Sequence, residues 1–143
     1  MTDPVEAARR YDEAFNAQDG EARVANLTPD TEVMLPGGLI LRGPEQVIQV
    51  VQNFWEALPD GKISSENEVA AGDTVVTEGT LSGTHTGTFR SPQGDIPASG
   101  NRVTLRYVSV KQIRDGKVAA ERLYFDQLEL LQQIGALPSA QEQ

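Results

Sequence analysis

The chain has 143 residues, 38% of them hydrophobic and 23% charged, the size and balance of one globular domain with a single core. It contains no cysteine and one histidine, which excludes disulfides, thiolate catalysis, cysteine zinc sites and His-rich metal sites. Twenty-one acidic residues against 12 basic ones give a formal charge of −9, a field that repels nucleic acid and anionic lipid.

No apolar run approaches the ~18 residues that span a bilayer, and the opening MTDPVEAARR lacks signal-peptide character. A cytoplasmic protein with a solvated, scattered acidic surface is expected. Asp3-Pro4-Val5-Glu6 carries the cap, proline and glutamate of a helix start. Val5, Ala8, Tyr11, Ala14 and Phe15 form that helix's apolar face, and Gly20 is expected to end it. A short second helix is predicted over Glu21 to Leu27, closed by Thr28-Pro29-Asp30. Short strands follow at Glu32 to Leu35 and Leu39 to Arg42.

Gly43-Pro44-Glu45 starts the clearest helix. Val47, Val50, Val51, Phe54 and Leu58 repeat along one buried stripe, while Asn53 lies roughly 120° from its centre at ~100° per residue. From Lys62 onward the pattern changes to strands: Lys62 to Ala71, Thr74 to His85, Asn101 to Arg114 and Lys117 to Phe125. Gly72-Asp73 and Asp115-Gly116 punctuate them as turns. Thr86 to Gly100, rich in Gly, Pro and Ser, is predicted to be a long loop. A last helix runs from about Gln127 to Ile134, stopped by Gly135 and Pro138, and the tail SAQEQ is expected to fray.

Helices first and a long-stranded meander afterwards imply an α+β domain over residues 1–143, with its core at about 4–138. A strongly curved antiparallel sheet wrapped around the N-terminal helices would leave a cone-shaped cavity for a small, largely apolar ligand.

The segments GTHTGTF (Gly83 to Phe89), PASGNRVTLR, RDGKV and YFDQLELLQQIGALP resemble the SnoaL-like polyketide cyclase (ester cyclase) family of the nuclear transport factor 2-like superfamily. The similarity runs from about Val5 to Pro138. It implies a cone-shaped α+β barrel, a homodimer, an internal ligand pocket, and aldol ring closure by an acidic residue without a cofactor. Limonene epoxide hydrolases are relatives with the same strand ending. In both relatives the catalytic carboxylate follows an arginine on the last strand, three residues before its terminal aspartate. Here that segment reads Arg122-Leu123-Tyr124-Phe125-Asp126, so the position is Leu123, and leucine exchanges no proton. The assisting histidine of the cyclases corresponds to Ser109, and the Arg-x-Asp pair of the hydrolases has no counterpart.

Two residues are candidates for catalysis. Asp126 could act as acid or base if an apolar cone raised its pKa from ~3.9. It equally fits a helix N-cap, with Glu129 at the capping-box spacing. His85 ends a strand at the edge of the long loop, where it could contact a ligand or simply bond loop backbone. Tyr11, Met34, Phe54, Trp55, Tyr107, Ser109 and Leu123 are the candidate pocket residues, with Glu78 and Glu121 as spare acids if their side chains point inward. Leu123 and Phe125 are expected to face the cavity, leaving Arg122 and Tyr124 on an outer face suited to a dimer interface, unless a β-bulge reverses the alternation. The expected activity is cofactor-independent aldol cyclisation, isomerisation or dehydration of a small apolar carbonyl compound. The alternative is a small-molecule binding protein that has lost the acid; an epoxide hydrolase fits less well. No nucleic-acid or membrane partner is expected.

Overall fold

A computed structural model describes residues 3–91 and 94–137. Three helices, α1 (Pro4–Ala17), α2 (Gly20–Ala25) and α3 (Gly43–Ala57), pack into the concave face of one six-stranded sheet. The strands are β1 (Leu27–Leu35), β2 (Leu39–Arg42), β3 (Lys62–Ala71), β4 (Thr74–Thr84), β7 (Arg102–Arg114) and β8 (Lys117–Phe125). A separate hairpin of β5 (Phe89–Ser91) and β6 (Gly94–Ile96) lies between β4 and β7, and α4 (Gln127–Gln133) follows β8. The sheet order is β2-β1-β8-β7-β4-β3. The α+β cone expected from the sequence is present, but its sheet stays open rather than closing into a barrel. Nor is it wholly antiparallel, since β1 runs parallel to β8.

The helices start where the sequence places their caps. Asp3 accepts a hydrogen bond from the Val5 amide at 2.9 Å, and Asp19 does the same for Ala22 at 3.0 Å. Helix α1 ends earlier than Gly20, because Gln18 adopts the left-handed conformation (φ 53°) and its N–H closes on Ala14 and Phe15. Gly20 instead opens α2. Thr28-Pro29-Asp30 does not close that helix but belongs to β1. Proline lacks the N–H that a ladder needs, and the β1–β8 register breaks between Leu27 and Glu32.

The stretch expected as a loop after His85 contains the β5–β6 hairpin. Its anchor is a close backbone approach: the Gly87 amide donates to the Ala57 carbonyl at 3.2 Å. A Cβ at residue 87 would lie 1.9 Å from the Glu56 carbonyl oxygen, so only glycine fits there. Phe89 meets Phe54 edge to face with ring centroids 5.6 Å apart, and Arg90 pairs with Glu56 and Asp95. The hairpin thereby sits on the C-terminal half of α3. The tail SAQEQ and Pro138 fall outside the described residues, and among the described residues no helix is long and apolar enough to cross a membrane.

A local bulge fixes which way β8 faces. Gln112 pairs with Ala120 while Ile113 pairs with Val118, so Ala119 is the extra residue. Val118 therefore faces inward before the bulge, and Glu121, Leu123 and Phe125 face inward after it. Arg122 and Tyr124 point outward, as the alternation predicts. On β7 the inward set is Val103, Leu105, Tyr107, Ser109, Lys111 and Ile113.

Gly87→Ala should destabilise the protein by about 1–3 kcal/mol, the range for forcing extra volume into a packed site. Urea unfolding followed by circular dichroism measures it. An unchanged midpoint would mean that the hairpin is not anchored there.

Candidate functional site

The space between helices and sheet is an apolar cone with an ionisable floor. Val33, Leu35, Leu41, Val47, Val50, Val51, Phe54, Leu81, Leu105, Leu123 and Phe125 supply its walls, around a cavity of about 100 Å³. A second cavity, about 340 Å³, shares Leu35, Val50, Phe54 and Phe125 with the first and extends it to Pro36, Asn53, Phe89 and Arg90. The two form an inner chamber and its mouth. Asn53, placed off the buried stripe of α3 by its periodicity, lines the mouth for that reason: it flanks the stripe on the open side.

Tyr11 and Asp12 from α1, Arg23 from α2, Lys111 from β7 and Glu121 from β8 converge on the inner chamber. The Lys111 ammonium donates to Ser109 Oγ at 2.7 Å and lies 3.4 Å from both Asp12 Oδ1 and Glu121 Oε2. Ser109 Oγ in turn donates to Glu121 Oε2 at 2.7 Å. Arg23 Nη1 donates to the Tyr11 carbonyl at 2.7 Å and stands 3.9 Å from Asp12 Oδ1. Its guanidinium carbon lies 3.4 Å from the Tyr11 ring centroid, a cation stacked on a phenol. The same guanidinium lies close enough to the phenol to lower its pKa, against the larger effect of burial. In this geometry no hydrogen bond from the described residues reaches the Tyr11 hydroxyl or Asp12 Oδ2.

The environment separates the two carboxylates. Burial pushes Asp12 above the ordinary carboxylate value, and Lys111 and Arg23 only partly offset that. Burial acts on Glu121 in the same sense, but Lys111, Arg23 and the Ser109 and Lys111 hydrogen bonds outweigh it and hold Glu121 below its ordinary value. The signs of linkage are opposite. Asp12 contributes stability that is lost as pH rises through its folded-state pKa. Glu121 contributes stability that is lost as pH falls through its own. Burial also raises the pKa of the Tyr11 and Tyr107 phenols, which stay protonated at neutral pH.

Of the residues singled out from sequence, Tyr11, Phe54, Tyr107 and Leu123 line the inner chamber, and Ser109 bonds its floor. Glu121 points inward, while Glu78 is exposed and accepts from Asn67. Met34 is not among the lining residues, because its neighbours Val33 and Leu35 take the inward positions of β1. Trp55 packs on Phe15 beside the stripe, with ring centroids 5.9 Å apart. His85 is buried away from both cavities. Its Nδ1 accepts from the Ser99 amide at 3.2 Å and pairs with Ser99 Oγ at 2.8 Å, and desolvation lowers its pKa. Asp126 is exposed, lines neither cavity and caps α4 by accepting from the Glu129 amide at 3.1 Å. Asp12, Arg23 and Lys111 drew no attention in sequence, where each reads as an ordinary surface charge.

The fold is shared with a nuclear transport factor 2-like protein of unknown function from Burkholderia pseudomallei, 21% identical with a TM-score of 0.78, over 94% of this chain and 99% of that one. The model of the SnoaL-like polyketide cyclase family matches residues 5–134, and the chain belongs to that family. A candidate SnoaL-like polyketide cyclase from Jannaschia sp. CCS1 is 28% identical with a TM-score of 0.83, the match covering 94% of this chain and 93% of that one. TsrD from Streptomyces laurentii is 26% identical, TM-score 0.78, over 96% of this chain and 100% of TsrD. IdmH from Streptomyces antibioticus, a candidate polyketide cyclase, is 25% identical, TM-score 0.79, over 94% of this chain and 99% of IdmH. No curated protein sequence matches the chain.

Lys111→Met should cost about 3–5 kcal/mol at neutral pH, since it leaves two buried carboxylates without their shared cation. The loss should shrink as pH falls and the carboxylates take up protons. Denaturation midpoints at several pH values check this; a small, pH-independent loss would show that Lys111 does not hold the cluster together.

Proposed function

We propose that the protein is a cofactor-independent acid/base enzyme acting on a small, largely apolar carbonyl compound bound in the cone. The observation that carries this reading is the ionisable floor of an otherwise apolar chamber. Aldol cyclisation, isomerisation and dehydration all need a positioned proton acceptor and a site that excludes water. Two carboxylates with pKa values driven apart, one lysine and two protonated phenols meet that need. The family to which the chain belongs points the same way.

A second reading, a binding protein without catalysis, is favoured by one residue: the resemblance places the family's proton-transfer position at Leu123, an apolar wall residue of the chamber. The floor argues against it, because a simple apolar binder has no use for buried charge that costs desolvation energy. Proton exchange separates the two. Mono- and dicarbonyl compounds incubated with the protein in deuterated buffer should exchange their α-protons faster than in buffer alone, as followed by proton NMR. Calorimetric binding of the same compounds without any exchange would leave the binding reading in its place.

The reading includes a homodimer through the outer sheet face. There Val108 pairs with Tyr124 and Val110 with Arg122, and Tyr124 is 47% exposed. A second copy covering this ribbon would remove its apolar surface from water. Light scattering should give twice the chain mass of 15.5 kDa, and a monomer at micromolar concentration would remove this part of the proposal.

A further inference from the structure

The two floor carboxylates differ in what they have left to offer, and on the acid/base reading above that difference assigns their roles. Glu121 makes its contacts through Oε2, which accepts from Ser109 and lies against Lys111, and these hold it below its ordinary carboxylate pKa. Asp12 uses only Oδ1, which faces Lys111 and Arg23; its Oδ2 is buried and has no partner among the described residues. One residue earlier, Tyr11 is completely buried, and its hydroxyl is also without a partner. Buried polar atoms are almost always satisfied, so an unmet acceptor and an unmet donor on adjacent residues lining one chamber mark a place where a ligand supplies the complement.

We infer that Asp12 Oδ2 is the base, that the Tyr11 hydroxyl is the oxyanion donor, and that the substrate is a 1,3-dicarbonyl compound carrying a flat apolar tail. Glu121 is a positioning residue that holds Lys111. A carboxylate is a weak base, and a carbon between two carbonyls, whose anion is spread over both, is the carbon acid closest to its reach. In the step, Asp12 Oδ2 takes the proton from the carbon between them. The C–H electron pair becomes the C=C bond of an enolate, and the π pair of one carbonyl moves to its oxygen, where the Tyr11 O–H donates a hydrogen bond. Protonated Asp12 exchanges its proton with solvent and delivers one back to the enolate carbon, so no reactant other than water is needed and in deuterated buffer the carbon gains deuterium. Burial keeps the basicity of Asp12 above that of an ordinary aspartate and keeps Tyr11 protonated as a donor.

Size and wall chemistry set the rest of the molecule. The inner chamber, about 100 Å³, takes a dicarbonyl head but little more. The tail must lie in the mouth of about 340 Å³, where Phe54, Phe89 and Phe125 offer aromatic faces and edges.

The test uses 1-phenyl-1,3-butanedione as probe, with α-deuterium exchange read by NMR across pH on the full-length protein. In wild type the rate should rise with pH through one ionisation above the ordinary aspartate value of ~3.9. The groups facing Asp12 and shaping that ionisation are Lys111, Arg23, Glu121, Tyr11 and Tyr107. D12N should lower the exchange kcat by about 10²-fold or more, remove that limb and leave calorimetric binding of the probe in place. Y11F should lower it by about 10²-fold, as for loss of one oxyanion donor. E121Q should keep the limb even where its rate falls. If D12N does not fold, D12E, which displaces the carboxylate by one methylene, should show a comparable loss with the ionisation retained. A folded D12N that exchanges at the wild-type rate, a limb lost in E121Q instead, or an unimpaired Y11F would overturn the assignment while leaving the acid/base reading intact. Exchange by wild type on simple monocarbonyls but not on the probe would overturn the substrate class alone. Absence of exchange on every carbonyl tried would sink both.

Discussion

A lysine ammonium has no place in an apolar interior without counter-charge, and Lys111 takes its counter-charge from two layers of the fold at once. Asp12 comes from the helix layer and Glu121 from the neighbouring strand, each 3.4 Å away. Breaking such a cluster by deleting one member leaves uncompensated charge inside, which is far costlier than never having built it. Position therefore matters as much as charge: α1 must sit at the height on the sheet that brings Asp12 to Lys111, and Arg23 of α2 completes the neutralisation. The walls above need only be apolar and of roughly the right size. The floor needs its geometry.

On the proposed reading, the proton acceptor lies on a different element from the one that the resemblance implies. Leu123 stands in the wall at the height where relatives are expected to carry their carboxylate, two residues along β8 from Glu121 on the same face. Acid and base functions depend on where a carboxylate projects and what surrounds it, and not on which element carries it. A leucine at that position lengthens the apolar wall and confines charge to the narrow end of the cone.

Much of the fold was legible because its signals are local. The stripe of α3 and the turns at Gly72-Asp73 and Asp115-Gly116 follow directly from periodicity and turn chemistry. What escaped was set by tertiary contact. Gln18 takes a left-handed conformation that glycine would have advertised, and Pro29 sits inside a strand because the break in β1–β8 pairing spares its missing N–H. The β5–β6 hairpin has strands of three residues each, too short to show alternation. The floor was the least legible part. Lys111 follows Tyr107 and Ser109 on the inward alternation of β7, and that parity was the one signal able to place it inside. Glu121 needed the bulge at Ala119 before its direction could be read. Asp12 and Arg23 carry no such mark, since a charged residue beside an apolar helix stripe is ordinarily solvated. Asp126 and His85 drew attention as chemistry-bearing side chains, yet the fold spends one on a helix cap and the other on a loop amide.

The parallel pairing of β1 with β8 has a bearing on how the molecule comes into being. Thr31 Oγ1 donates to the Val118 carbonyl, and the Val118 amide donates to Asn26, joining chain segments nearly a domain's length apart. During synthesis the N-terminal helices leave the ribosome long before the strands that will hold them. Until β7 and β8 emerge, Asp12 has neither Lys111 nor the Glu121 cluster to join, and the apolar face of α1 has only the β3–β4 hairpin to pack on. Contacts of such long range close slowly, because loop entropy is spent before they form. The chamber is consequently complete only after β7 and β8 have been made.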